Sequence, residues 1–169
     1  MKRILLAGFA GNDNSSKIIL DKCSPAVEKL YLENDFLVCA TQIETAINNE
    51  YDFILVLGQK PVIKALYIEI AGRTSHDCLK SNFDYRALVE WLKLSGYTIR
   101  LSENAGNYLC NHVYYHGLKT VRSTHRNTQI ILMHVPYLKN IVDVKHLADT
   151  LSVFLLNLLI LRLKPVERT

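Results

Sequence analysis

The residues with the most chemistry to offer lie in one short run: Asn104, Ala105, Gly106, Asn107, Tyr108, Leu109, Cys110, Asn111 and His112. A small residue and a glycine give way to an aromatic, an aliphatic and then a thiol. Residues 97–101 before it have strand character, and residues 110–120 after it fit a helix. A cysteine in a first helical turn sits near the positive end of the macrodipole, which favours thiolate. Cys110 is therefore a candidate nucleophile. The competing reading is a buried structural cysteine, since unpaired cysteine often behaves as a small apolar group. A nucleophilic thiol needs a base, and His134 stands near the end of the apolar run of residues 129–135. Strand ends and the helix starts that follow them open onto one rim of an α/β sheet, where active sites gather. Cys110 and His134 are expected to meet there.

His112 is nearer to Cys110 in sequence, but positions i and i+2 of a helix do not face each other. It is expected on the helix surface. His112 and His116 stand at i,i+4, which suits a metal, yet no glutamate lies beside them as in the zincin pattern and no third ligand is evident. No metal and no cofactor are expected.

The elements that must position these residues alternate between strand and helix. Apolar runs at residues 3–9, 37–41, 52–57, 97–101 and 129–135 predict strands, the run at 52–57 being stopped by Gly58. Residues 65–71 are extended and carry Glu69. Helices are predicted over 16–31, 43–49, 82–95 and 110–120, with Asn14, Ser15 or Ser16 as N-cap of the first and Gly96 closing the third. A last helix covers about 144–163. Its second half is too short and too interrupted for a membrane span, which needs about 20 apolar residues. It is expected to serve the core and a homo-oligomer interface. The alternation predicts an α/β fold: one three-layer α/β/α domain over residues 1–169, with a mostly parallel central sheet.

Composition narrows the function classes. With 49% hydrophobic and 21% charged residues the chain is globular, not disordered. The net charge of +4 is modest and the basic residues are scattered, so no nucleic-acid partner is expected. Cys23, Cys39, Cys78 and Cys110 form no C-x-x-C pair, and with a strand-like run from residue 3 no signal peptide is expected. The thiols are expected to be reduced and the protein cytoplasmic, with no membrane attachment.

The run Ala105-Gly106-x-Tyr108-x-Cys110-Asn111-His112 resembles the nucleophile motif of the pyrrolidone-carboxylate peptidases (pyroglutamyl peptidase type I). Ile131-Leu132-Met133-His134-Val135-Pro136-Tyr137 is similar to that family's histidine motif. Gly58-Gln59 followed by Ile68-Glu69-Ile70-Ala71 resembles its glutamate motif. The chain is thus identified as a shortened or divergent member. The resemblance implies Cys110 as nucleophile, His134 as base and Glu69 as the carboxylate that orients it. It also implies a pocket for a pyroglutamyl ring formed by Phe9, Asn14, Gln59, Tyr108 and Leu109. The activity implied is that of a cysteine exopeptidase, an omega peptidase. It would cleave the amide bond after an N-terminal pyroglutamyl residue through a thioester acyl-enzyme, taking a peptide or small amide with a blocked N-terminus.

The chain also departs from the family. After Phe9 it reads Ala10-Gly11-Asn12 where the family has Pro-Phe-Gly, so a second pocket phenylalanine is missing. The segment between Glu69 and Cys110 is shorter, and no Arg-x-Pro-Asp loop is found. These departures motivate the alternative: an inactive or repurposed homologue that uses the same scaffold as a binding protein.

Overall fold

The computed structural model of the chain describes residues 2–160. In chain order the elements are β1 (Ile4–Phe9), α1 (Ser15–Lys22), β2 (Glu28–Leu32), α2 (Phe36–Asn48), β3 (Phe53–Gln59), β4 (Leu66–Glu69), β5 (Ala71–Arg73), β6 (Cys78–Lys80), α3 (Arg86–Leu94), β7 (Ile99–Ser102), α4 (Leu109–Ser123), β8 (Gln129–Val135) and α5 (Val144–Ile160).

Six strands form one sheet in the order β2-β1-β3-β8-β4-β7. Every neighbouring pair is parallel except β4 with β8. β4 and β7 therefore run against the other four strands, and the expected mostly parallel α/β sheet is present. The central strands β1, β3 and β8 are apolar almost throughout because both of their faces are covered. Ile4, Leu6, Leu55, Leu57, Ile131 and Met133 face a core closed by α1, α3 and α5. Leu5, Ala7, Ile54, Val56, Ile130 and Leu132 face the opposite core, closed by α2 and α4. Each fully buried Leu or Ile of these strands contributes about 1.5–3 kcal/mol relative to exposure. β5 and β6 form a separate antiparallel pair lying against α4.

Several boundaries differ from the sequence expectation, each for a local reason. The helix expected over residues 16–31 ends at Lys22. Ser24 and Pro25 follow, and the chain then joins the sheet as β2, pairing Leu5 with Glu28 through Phe9 with Leu32. The strand expected at residues 37–41 is instead the start of α2, fused with the helix expected at 43–49. The Asp35 side chain accepts hydrogen bonds from the Leu37 and Val38 N–H groups, each at 2.9 Å. That cap directs the apolar run into a helix burying Cys39, Ala40, Ile43, Ala46 and Ile47, a helical spacing.

β3 does not stop at Gly58 but carries on through Gln59, because Gly58 and Gln59 still pair with His134 and Val135 of β8. The extended stretch 65–71 is broken at Ile70 into β4 and β5. The helix expected from residue 82 starts at Arg86. Asn82 serves the sheet instead, donating to the Thr128 carbonyl at 2.7 Å and accepting from the Ile130 N–H at 3.1 Å. β7 covers Ile99–Ser102 rather than residues 97–101. α4 reaches Ser123, and the end expected for the last helix, at residue 163, lies outside the described residues. Among the described residues no helix is long and apolar enough to cross a membrane.

Candidate active site

Glu69 is the last residue of β4, a strand covered on both sides by β8 and β7. Its side chain is fully buried, not the solvated carboxylate that an edge position would give. The antiparallel register sets Tyr67 opposite His134 and Glu69 opposite Leu132. Glu69 and His134 thus project from one face of the sheet, two pleats apart. Glu69 Oε1 lies 2.8 Å from His134 Nδ1.

Burial alone would raise the Glu69 pKa. The hydrogen bond with His134, the neighbouring Ser102 hydroxyl and the charges of His134 and Lys60 outweigh it and hold the carboxyl below its ordinary value. Ser102 is the register partner of Glu69 on β7. Its hydroxyl donates to the Asn104 carbonyl at 3.2 Å, and Glu69 Oε2 has no hydrogen-bond partner among the described residues.

Cys110 is the second residue of α4, so the expected first-turn placement is met. A Cβ built on Gly58 would stand 2.5 Å from Cys110 Sγ and 3.1 Å from His134 Cδ2. Sulfur and imidazole therefore border the same small space, and only a glycine in β3 leaves it open. The expected thiolate is not found. Burial pushes the Cys110 thiol up to about 12, opposed by a hydrogen bond from its own backbone, while the nearby Cys39 and Glu69 push it further. Desolvation outweighs the helix dipole here and favours the neutral thiol.

The N-terminus of α4 has no side-chain cap, in contrast with α1 and α2. Its first N–H groups are uncommitted to a capping side chain and lie beside the thiol. The position of α4 is fixed by contacts that the sequence did not advertise. The Tyr114 hydroxyl donates to the Glu69 carbonyl at 2.8 Å. Asn111 takes the Arg73 N–H at 2.9 Å and donates to the Arg73 carbonyl at 2.7 Å, tying β5 to the helix.

The expected pocket residues are placed less uniformly. Phe9 and Leu109 are buried in one apolar cluster with Leu32, Cys39 and Ala105. Asn14 caps α1, its Oδ1 accepting from the Ser16 N–H at 2.9 Å and the Ser16 hydroxyl at 2.6 Å. Gln59 Oε1 accepts from both the N–H and the hydroxyl of Ser15, each at 2.8 Å. Tyr108 is 68% exposed, its ring edge-on to Phe36 with centroids 5.6 Å apart.

His112 lies on the far side of the same helix turn, against Phe36 at 5.0 Å and His116 at 4.4 Å between centroids. His116 Nδ1 is 3.3 Å from Glu44. Lys60, Tyr114 and Phe36 were missed by sequence reasoning. Only the position of Lys60, next to Gly58-Gln59, offered a signal.

Residues 75–159 match the family described as pyroglutamyl peptidase, a stretch holding Cys110 and His134 and beginning after Glu69. A Staphylococcus aureus protein named pyrrolidone-carboxylate peptidase is 29% identical over 156 residues, covering 78% of this chain and 72% of that protein. A Clostridium perfringens protein of the same name is 32% identical over 96 residues, covering 57% and 43%. Among solved structures, pyroglutamyl peptidase I of Bacillus amyloliquefaciens matches with a TM-score of 0.80 at 16% identity, covering 92% of this chain and 95% of that one. The pyrrolidone carboxyl peptidase of Fervidobacterium islandicum matches at 0.78 with 20% identity, covering 94% and 98%. At these identities the solved structures speak for the fold alone. The sequence match extends over half of the chain, and on it the chain belongs to the pyroglutamyl peptidase family.

Proposed function

We propose that this protein is a cysteine exopeptidase that hydrolyses the amide bond after an N-terminal pyroglutamyl residue, with Cys110, His134 and Glu69 as its catalytic residues. The observation that carries this reading is the buried 2.8 Å bond between Glu69 and His134 beside the space shared with Cys110. Glu69 accepts a hydrogen bond from His134 Nδ1–H, which fixes the tautomer with Nε2 as a base. His134 Nε2 takes the thiol proton as Cys110 Sγ attacks the substrate carbonyl carbon. The carbonyl oxygen becomes an oxyanion, met by the uncapped N–H groups of α4, that of Cys110 first.

Collapse of this intermediate breaks the C–N bond. His134 passes its proton to the departing amine, leaving a thioester on Cys110. Water then gives a proton to His134 and attacks the thioester, releasing the acid and restoring the thiol. Because burial favours the neutral thiol, its proton must pass to His134 for attack to occur.

Phe9, Leu109 and Tyr108 supply apolar surface for the ring, and Gln59 and Asn14 its polar contacts. Four free cysteines suit a reducing, cytoplasmic setting. Val153, Leu159 and Ile160 leave exposed apolar surface on α5, which suits self-association through that helix. Sedimentation at micromolar concentration tests this last point. Purified protein should release the chromophore from a pyroglutamyl amide, and Cys110→Ala should not. Absence of release by the wild type at high enzyme concentration removes the reading.

A second reading, a repurposed binding protein, is favoured by one observation. Asn14 Oδ1 and Gln59 Oε1 are already engaged by Ser16 and Ser15. Under it, a pyroglutamyl peptide binds with equal affinity to wild type and Cys110→Ala, and neither turns it over.

A further inference from the structure

Lys60 follows β3 directly, and its backbone N–H donates to the Val135 carbonyl at 2.9 Å. This extends the β3–β8 pairing one step past His134. Its ammonium nitrogen lies 3.6 Å from Glu69 Oε1, the same oxygen that meets His134. It also lies 5.3 Å from the ring centroid of Tyr67, the residue opposite His134 on β4. The Lys60 side chain is partly buried and Glu69 wholly so, which puts their attraction in a medium less screened than a surface pair.

We propose that Lys60 is a positioning residue of this site, acting through Glu69 to lower the basicity of His134. The inference rests on the peptidase reading for its kinetic meaning, but not for its electrostatics. With His134 neutral, Glu69 leaves one net negative charge in the site, and Lys60 balances it. When His134 gains a proton, carboxylate and imidazolium balance each other and Lys60 becomes an excess cation. Lys60 therefore favours the neutral imidazole, the form able to accept the Cys110 proton.

The other groups that face this pair do not compensate. Cys110 and Tyr114 from α4 are neutral, burial and their surroundings raising both above their ordinary values. Tyr67 of β4 presents its ring to Lys60, and Ser102 of β7 carries no charge.

The test compares wild type, Lys60→Met and Lys60→Arg in two measurements. One is the pH profile of kcat/KM on a pyroglutamyl amide. The other is the His134 titration midpoint followed by NMR of histidine-labelled protein, assigned with His134→Gln. In Lys60→Met, the acid limb and the His134 midpoint should both move to higher pH by about half a unit or more. Lys60→Arg should restore both.

An unmoved His134 midpoint in Lys60→Met overturns the proposal. So does a fall in kcat with an unmoved acid limb, or a Lys60→Arg profile displaced as far as that of Lys60→Met. If the wild type turns over no pyroglutamyl amide while the midpoint still moves, the peptidase reading fails and the role of Lys60 stands.

Discussion

Glu69 Oε1 and His134 Nδ1 meet at 2.8 Å although 65 residues separate them in the chain, and neither side chain is open to solvent. Glu69→Gln keeps the shape but removes the negative charge and puts a donor NH2 where the carboxylate could only accept. Under the proposed mechanism the imidazolium loses its counter-charge and the tautomer is no longer fixed. Activity on a pyroglutamyl amide should fall by about 10²-fold or more. Circular dichroism should remain that of the wild type. Full retention of kcat/KM would show that Glu69 is not part of the machinery.

The same carboxylate makes stability depend on pH. Its folded pKa is lowered from the ordinary value of about 4.5, so its contribution is fully present above that value. The contribution is lost as the pH falls through the lower folded value. Urea midpoints of wild type should therefore drop on acidification below about pH 4.5 more steeply than those of Glu69→Gln. Parallel curves would contradict the shift.

Gly58 is held to a hydrogen for a steric reason. A Cβ there would stand 2.5 Å from Cys110 Sγ, closer than real contacts allow. In Gly58→Ala the thiol must leave its present position beside the imidazole, or the strand must shift. We expect at least about a tenfold loss of kcat/KM, with a stability cost of about 1–3 kcal/mol. Thermal unfolding run beside the assay separates the two. A fully active alanine variant would mean that the thiol reacts from another rotamer.

The four thiols should react in an order set by exposure and burial. Cys78 is exposed, and Cys23 and Cys39 are buried. Burial pushes the Cys110 thiol up to about 12. Iodoacetamide at neutral pH should modify Cys78 first, without loss of activity, and Cys78→Ser should abolish that phase. Inactivation through Cys110 should quicken with rising pH up to the alkaline limit of the fold. Rapid pH-independent inactivation from pH 6 upward would indicate a thiolate at rest instead.

Asn111 makes a reciprocal pair of hydrogen bonds with the Arg73 backbone, at 2.9 and 2.7 Å. Asn111→Leu leaves the Arg73 N–H and carbonyl unpaired in a partly buried place. It should cost about 1–3 kcal/mol in urea unfolding. It should also lower kcat/KM, because α4 carries Cys110, the proposed nucleophile. A neutral result would mean that water replaces both bonds.

The α/β class, the strand of β8 with His134 near its end, and the first-turn position of Cys110 followed from local sequence. Continuous apolar runs and a glycine-preceded helix are read from neighbours a few residues apart. The identity of residues 37–41 was not decided that way, because an apolar run fits a strand or a helix until Asp35 caps it. Nor was the protonation of Cys110 legible. The helix dipole is a local property and pointed to thiolate, whereas desolvation comes from everything folded around the sulfur, and it wins. The burial of Glu69 depended on β4 being placed inside the sheet between β8 and β7, a long-range pairing. The approach of Lys60 depended on the same crossing of strands. What the chain wrote locally was which groups could react; their distances, charges and solvation arose only when strands distant in sequence became neighbours.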